Sequence, residues 1–284
     1  MSDSTKPNKL SKNSTLSFIG CGVMAESIIA GLLRQNIVTP AQIAASHPRV
    51  ERRKELENTY KIQVFGDNVH AANAFSKTGS TIILCVKPQR LGGVLKELAG
   101  SVSPDQLVIS IVTGAGIDSI SEALNNALVV RAMPNTPSQI GAGMTAWTCS
   151  PEVDESHKTQ VRTMLSALGR ELFVETENMI DMATSLSATG PTYIFMVMEA
   201  MTDAGVHLGF SREISKELVQ QTMLGSVLFA IESQKHPAEL RNMVTSPGGT
   251  SAEAIYQMEK GALRTVLSKA IYAAYKRAVD LGKK

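Results

Sequence analysis

From Thr15 to about Thr176 the chain alternates short apolar runs with stretches of helical periodicity, and few architectures accept that pattern. The runs cover residues 16–19, 43–46, 62–65, 81–86, 107–112 and 128–133. They are rich in Ile and Val and lack clean polar alternation, as parallel strands covered on both faces do. Helical segments between successive runs make this a βαβ series, which predicts an α/β fold with a doubly wound, mainly parallel sheet. Residues 144–149 and 171–176 read as further strands at one edge.

The texture changes after Glu177, where strand-like runs vanish and helical patterns cover roughly residues 212–233, 250–259 and 262–280. This predicts three parts: a loose polar tail over residues 1–14, a sheet domain over 15–176 and an all-α domain over 177–284. Residues 193–201 are apolar apart from Glu199, the character of a helix covered on several sides. One small helical domain supplies too few neighbours for that, so the expected form is an obligate homodimer whose C-terminal helices pack against each other.

Composition narrows the partners. The 28 Lys and Arg against 26 Asp and Glu leave a net charge of +2, and the basic residues are scattered, which argues against nucleic acid and anionic membranes. Apolar runs break well before the ~18 residues a membrane span needs, and none suits a signal peptide. Cys21, Cys85 and Cys149 are spaced for neither a disulfide framework nor a zinc site, so no metal is expected and the natural setting is the reducing cytoplasm.

Five segments carry candidate chemistry. Gly20-Cys21-Gly22-Val23-Met24-Ala25 lies between the first strand and a helix. There Gly20 permits a tight turn, Gly22 lets backbone approach a pyrophosphate, Ala25 allows close helix packing, and the helix start offers N–H groups to phosphate. The second strand ends in Ser46-His47-Pro48-Arg49, with Arg52 and Arg53 following, rather than in the acid that binds a ribose hydroxyl of NAD. Hydroxyl and guanidinium donors at that place favour NADP, although the arginines also suit a solvated helix face. Val86-Lys87-Pro88 and Met133-Pro134-Asn135-Thr136-Pro137 follow the fourth and sixth strands, at the edge where such sheets bind ligands. A solvated lysine and a proline-fixed turn are the plain alternatives. Last, Thr245-Ser246-Pro247-Gly248-Gly249-Thr250-Ser251 leads into a helix, an arrangement suited to a carboxylate and richer than a simple cap requires.

Alcohol dehydrogenation needs a base. The five histidines, His47, His70, His157, His207 and His236, form no cluster in sequence and read as surface or capping residues. Reduction of an imine asks less, because a protonated C=N is already electrophilic and a hydroxyl suffices to support the nitrogen.

Taken in order, FIGCGVMAESI, CVKP, MPNTP, GPTYIF, EAMTDAGVHLG, KHP and TSPGGTS resemble pyrroline-5-carboxylate reductase, the family that closes proline synthesis by reducing a cyclic imine with NADPH, and TSPGGTS is the most specific of them. The resemblance implies a Rossmann-type domain followed by a dimerisation domain. It implies that Ile19, Gly20, Cys21, Gly22, Val23 and Met24 hold the pyrophosphate of NADPH, with NADH as the second candidate. Ser46 and His47, joined by Arg49, then face the adenosine phosphate, and Asn68 faces the adenine ribose. Val86, Lys87, Pro88, Thr113 and Gly114 line the nicotinamide side, and Asn135 lies near the carboxamide. Ser246, Gly249 and Thr250 grip the carboxylate of the imino acid, and the Ser251 hydroxyl faces the ring nitrogen. The resemblance also implies C-terminal helices that interleave between subunits, and assemblies larger than a dimer.

The chain departs from the family pattern in two places. Ala188 replaces a usual glycine in Leu186-Ser187-Ala188-Thr189-Gly190-Pro191-Thr192-Tyr193, and Ser251 replaces a usual threonine. Two rivals share the architecture. A β-hydroxyacid dehydrogenase should place a lysine such as Lys216, Lys260 or Lys269 at the nicotinamide, and a non-catalytic NADP-binding protein needs no reacting group.

Overall fold

A computed structural model describes residues 9–11, 13–75 and 79–282; of the expected tail, residues 1–8 and 12 lie outside the described residues. The chain forms two compact units, one running through Thr189 and resuming at Ala274, the other Gly190–Ala273.

The first unit is built on strands β1 (Thr15–Ile19), β2 (Ile43–Ser46), β3 (Gln63–Phe65), β4 (Ser80–Leu84), β5 (Leu107–Ser110), β6 (Val129–Met133), β7 (Gly143–Cys149) and β8 (Gly169–Phe173). They form one sheet in the order β3-β2-β1-β4-β5-β6-β7-β8. The first six are mutually parallel, whereas β7 runs antiparallel to β6 and pairs in parallel with β8. All eight expected strands are present. β4 and β5 end two residues before their apolar runs, because the chain leaves the ladder there to form the loops of the ligand edge, and β8 ends three residues before its run.

Helices α1 (Val23–Arg34), α2 (Val50–Tyr60), α3 (Asn68–Ala72), α4 (Pro88–Leu98), α5 (Ile117–Leu124) and α6 (Glu155–Ser166) connect these strands, and α7 (Glu177–Ala183) follows β8. Alternate strand residues feed two cores. Leu16, Phe18, Ile83 and Ile109 pack with Ile28, Ile29 and Leu32 of α1 and with Val161 and Leu165 of α6. Ile19, Ile82, Leu84 and Val108 pack with Leu95 and Leu98 of α4 and with Ile120 of α5. Strands buried on both faces explain why the runs show no polar alternation.

The second unit holds α8 (Gly190–His207), α9 (Arg212–Ser233), α10 (Pro237–Met243), α11 (Thr250–Lys260) and the first half of α12 (Leu263–Gly282). In the single chain α8 has no buried residue and α9 buries only Ser215 and Val219. Ile194, Phe195, Met196, Val227, Leu228, Phe229 and Ile231 are all at least 47% exposed. The all-round apolar helix therefore does not find its cover within one copy of its own unit.

Candidate active site

Strand order reverses between β1 and β4, and in doubly wound sheets ligands bind beyond the strand ends at such a reversal. Gly20 leaves β1 with φ +85°, and a methyl placed on it would lie 2.5 Å from Val86 Cγ1 and 3.3 Å from Val86 Cα, so only glycine fits between the two loops. Gly22 is the N-cap of α1 and offers no capping side chain. The first N–H groups of this helix therefore stay open. A methyl on Gly22 would meet no heavy atom within 4 Å, so the backbone is bare on the side an incoming phosphate would approach. A bare, uncapped helix start fits a dinucleotide's pyrophosphate. Cys21 is fully buried, and burial pushes its thiol up to about 12, which keeps it neutral beside an anion.

Three of the four donors expected at the end of β2 and the start of α2, Ser46, Arg52 and Arg53, are engaged within the chain. Ser46 is 1% exposed, and its Oγ accepts from the Gly20 N–H at 2.9 Å while donating to Asn68 Oδ1 at 2.8 Å. Its one proton is spent, so the hydroxyl has no donor for a phosphate. Arg52 is also committed, to Glu26 of α1 and to Glu55 at 2.7 Å. Tyr60 donates to the same Glu26 at 2.9 Å, and burial with that carboxylate raises its phenol to about 12. Arg53 donates to the His47 and Pro48 carbonyls at 3.0 and 2.9 Å and so shapes the loop after β2. Arg49 alone of the three arginines has an exposed guanidinium with no partner among the described residues. His47 Nδ1 accepts the Arg49 N–H at 3.2 Å, and burial, reinforced by Arg49, Arg52 and Arg53, lowers its pKa.

Further along the edge, the exposed Lys87 occupies the N-cap position of α4 without a side-chain cap, and Pro88 is the helix's first residue. Thr113 Oγ1 lies 4.0 Å from Met133 Sδ. Gly114, at φ +74°, lies against the last turn of α12, where a methyl would come 2.7 Å from the Gly282 nitrogen. Asn135 is anchored at both ends of its amide: Oδ1 accepts from Met144 N–H at 2.9 Å, and Nδ2 donates to the Ser187 carbonyl at 3.3 Å. Ser187 sits in a π-helical turn, Thr184–Ala188, that interrupts the passage from α7 to α8. Such turns recur at functional sites. Ala188 packs against the Met133, Ala146, Val174 and Ile180 cluster, so the extra methyl has an apolar seat.

Beneath this turn, Arg131 of β6 is 3% exposed and pairs with Glu177 at 2.9 Å and Asp181 at 2.6 Å. Glu177 also accepts the Ile117 N–H at 2.9 Å, tying α5 to α7. Neither this cluster nor the Glu26–Arg52–Tyr60 group was expected from sequence. A single charge inside the apolar run 128–133 was the available signal for Arg131.

The second unit carries the hydroxyl-rich turn. Gly248 takes φ +68°, and a methyl on Gly249 would fall 2.5 Å from Ser246 Oγ. Gly249 is the N-cap of α11 without a side-chain cap, so the Thr250 and Ser251 N–H groups are open. Thr245 Oγ1 donates to the Arg241 carbonyl at 2.7 Å. Among the described residues the hydroxyls of Ser246, Thr250 and Ser251 make no hydrogen bond within the chain. The four expected substrate residues, Ser246, Gly249, Thr250 and Ser251, therefore share one short helix start, and the cofactor residues share the sheet edge of the first unit. His236 accepts the Ala238 N–H as the cap of α10, a capping role as expected. Among the described residues no His, Cys, Asp and Glu cluster could hold a metal, and no helix is long and apolar enough to cross a membrane.

Residues 177–281 match the family model for pyrroline-5-carboxylate reductase dimerisation, and residues 15–114 match that for NADP oxidoreductase coenzyme F420-dependent. A pyrroline-5-carboxylate reductase of Synechocystis is 39% identical over 95% of this chain and 98% of its own length. The structure of a pyrroline-5-carboxylate reductase from Coxiella burnetii superposes with a TM-score of 0.84 at 34% identity, over 96% of this chain and 100% of that one. The Plasmodium falciparum pyrroline carboxylate reductase with NADP bound superposes with a TM-score of 0.86 at 29% identity, over 95% of this chain and 99% of that one. Similarity at this level over nearly the whole length, reaching both the sheet unit and the helical unit, means that the chain belongs to the pyrroline-5-carboxylate reductase family.

Proposed function

We propose that this protein reduces 1-pyrroline-5-carboxylate to L-proline with NADPH. The observation that carries the reading is the pairing, in a chain of this family, of two uncapped helix starts, one bare for a pyrophosphate and one lined with hydroxyls for a carboxylate. Gly20 to Met24 hold the pyrophosphate, with Ile19 beneath, and Asn68 faces the ribose. Exposed Arg49 beside His47 meets the adenosine phosphate, and the absence of an acid at the end of β2 supports NADPH over NADH. Val86, Lys87, Pro88, Thr113 and Gly114 border the nicotinamide side, and Asn135 stiffens it.

When bound, NADPH supplies the hydride. The chain's own task is to bind and orient. Ser246, Gly249 and Thr250 hold the substrate carboxylate, helped by the positive end of the α11 dipole. Ser251 supports the ring nitrogen as the imine becomes an amine, and fixed geometry contributes most of the rate. Ser251→Ala is expected to lower turnover strongly while NADPH affinity changes little, and unchanged steady-state turnover would remove this role.

The exposed apolar faces of α8 and α9 support a homodimer with interleaved helices, from which larger assemblies can be built, and residues 177–284 serve as its dimerisation and substrate domain. The three free cysteines support a cytoplasmic setting.

A further inference from the structure

We propose that Ser46 is a positioning residue which sets the pyrophosphate turn and the ribose-facing amide together, rather than a ligand of the adenosine phosphate. This rests on the reading of the glycine turn as the pyrophosphate cradle. Ser46 ends β2, is 1% exposed, and holds the turn twice. Its carbonyl accepts the Cys21 N–H at 2.8 Å, and its hydroxyl accepts the Gly20 N–H at 2.9 Å.

An N–H can only donate, so the hydroxyl proton must point the other way, to Asn68 Oδ1 at 2.8 Å. That choice fixes which end of the Asn68 amide faces inward. Asn68 Nδ2 then donates to Glu97 Oε2 of α4 at 2.6 Å and keeps one further N–H. A single buried hydroxyl thus links the turn after β1, the start of α3 and the last turn of α4. It acts on the cofactor through Gly20 and Asn68, and both nucleotides share the pyrophosphate and the ribose.

The two roles give opposite specificity results. Removing a positioning hydroxyl weakens NADPH and NADH equally, whereas removing a phosphate ligand weakens NADPH alone. Calorimetric titration of NADPH and NADH into wild type and Ser46→Ala, with melting midpoints alongside, reads this directly. Leaving the Gly20 N–H and the Asn68 oxygen unmatched should weaken both dinucleotides by about ten-fold, with their ratio retained and kcat at saturating cofactor within about two-fold of wild type.

A loss confined to NADPH would overturn the proposal, and so would a lowered midpoint with both affinities unchanged. If Ser46→Ala is too unstable to titrate, Asn68→Ala must weaken NADPH and NADH equally, and a loss specific to NADPH would overturn the proposal. Where both variants fold, Ser46→Ala should cost less in the Asn68→Ala background than alone, and full additivity would exclude the link. Wild type that binds neither dinucleotide would sink the cradle itself, and the proposal with it, a result distinct from all of these.

Discussion

Gly22→Ala separates a nucleotide cradle from a turn that merely needs glycine. In the free protein the added methyl meets no heavy atom within 4 Å, and Gly22 already has φ −85°, which alanine adopts freely. Alanine is a poorer N-cap than glycine by several tenths of a kcal/mol. It also restricts the unfolded chain, which stabilises by about 0.4–1 kcal/mol. The two nearly cancel, so the melting midpoint without nucleotide should move by no more than ~2 °C, the shift of about 0.5 kcal/mol. With nucleotide, the methyl occupies the approach of the pyrophosphate. Overpacking costs about 1–3 kcal/mol, a rise in the NADPH Kd of about 5-fold to 150-fold. At an NADPH concentration that stabilises wild type by about 2.7 kcal/mol, a 30-fold weaker variant retains only ~0.9 kcal/mol.

Gly20→Ala supplies the contrast. Its methyl would press on Val86 and its φ of +85° strains alanine, so about 2–5 kcal/mol of stability is lost before any nucleotide is added. Thermal melts with and without NADPH, plus calorimetric titration, read both variants. Wild-type NADPH affinity in Gly22→Ala would refute the reasoning, because no phosphate group could then lie against that residue.

Two further outcomes follow from the electrostatics. Arg131→Met removes a 3% exposed guanidinium and leaves Glu177 and Asp181, 34% and 16% exposed, without their cation. Because both carboxylates keep some contact with water, the loss in urea unfolding should be about 1–3 kcal/mol, with Glu177→Gln and Asp181→Asn recovering part, and no measurable loss would show that the cluster stabilises nothing. His47 has its pKa lowered from 6.5 by burial and by the nearby arginines, so the unfolded chain takes up its proton first as pH falls. The stability tied to neutral His47 is complete above about pH 6.5 and declines below it, and His47→Asn should flatten that part of a stability-versus-pH curve; an unchanged slope would remove the assignment.

What sequence reveals here depends on how local the cause is. Strands β1, β2, β4, β5 and β6 were legible because burial on both faces writes itself as short, mostly apolar runs without alternation, and the glycine turn because its φ +85° and its closeness to Val86 exclude every side chain. The limits of those strands were not, since Cys85 and Ile111 are as apolar as their predecessors and leave the sheet only because the edge loops need them. Arg131 looked like part of a hydrophobic run, and its partners lie 46 and 50 residues away. The chemistry of Ser46 was legible only as a capacity to donate. Who receives that proton depends on the pairing of β2 beside β1 and on where α3 begins. Arg52 shows both cases, because Glu55 lies one helical turn away while Glu26 arrives from another helix. The π-helical turn at Thr184–Ala188 contains no Pro or Gly to announce it.

The central claim, hydride delivery from a cofactor on the sheet edge to a cyclic imino acid, is tested most directly by labelling. NADPH deuterated at the transferring position should be consumed together with 1-pyrroline-5-carboxylate and leave one deuterium on the former imine carbon of the proline produced. Proline formed without that deuterium, or cofactor that stays reduced in the presence of the imine, would contradict the account.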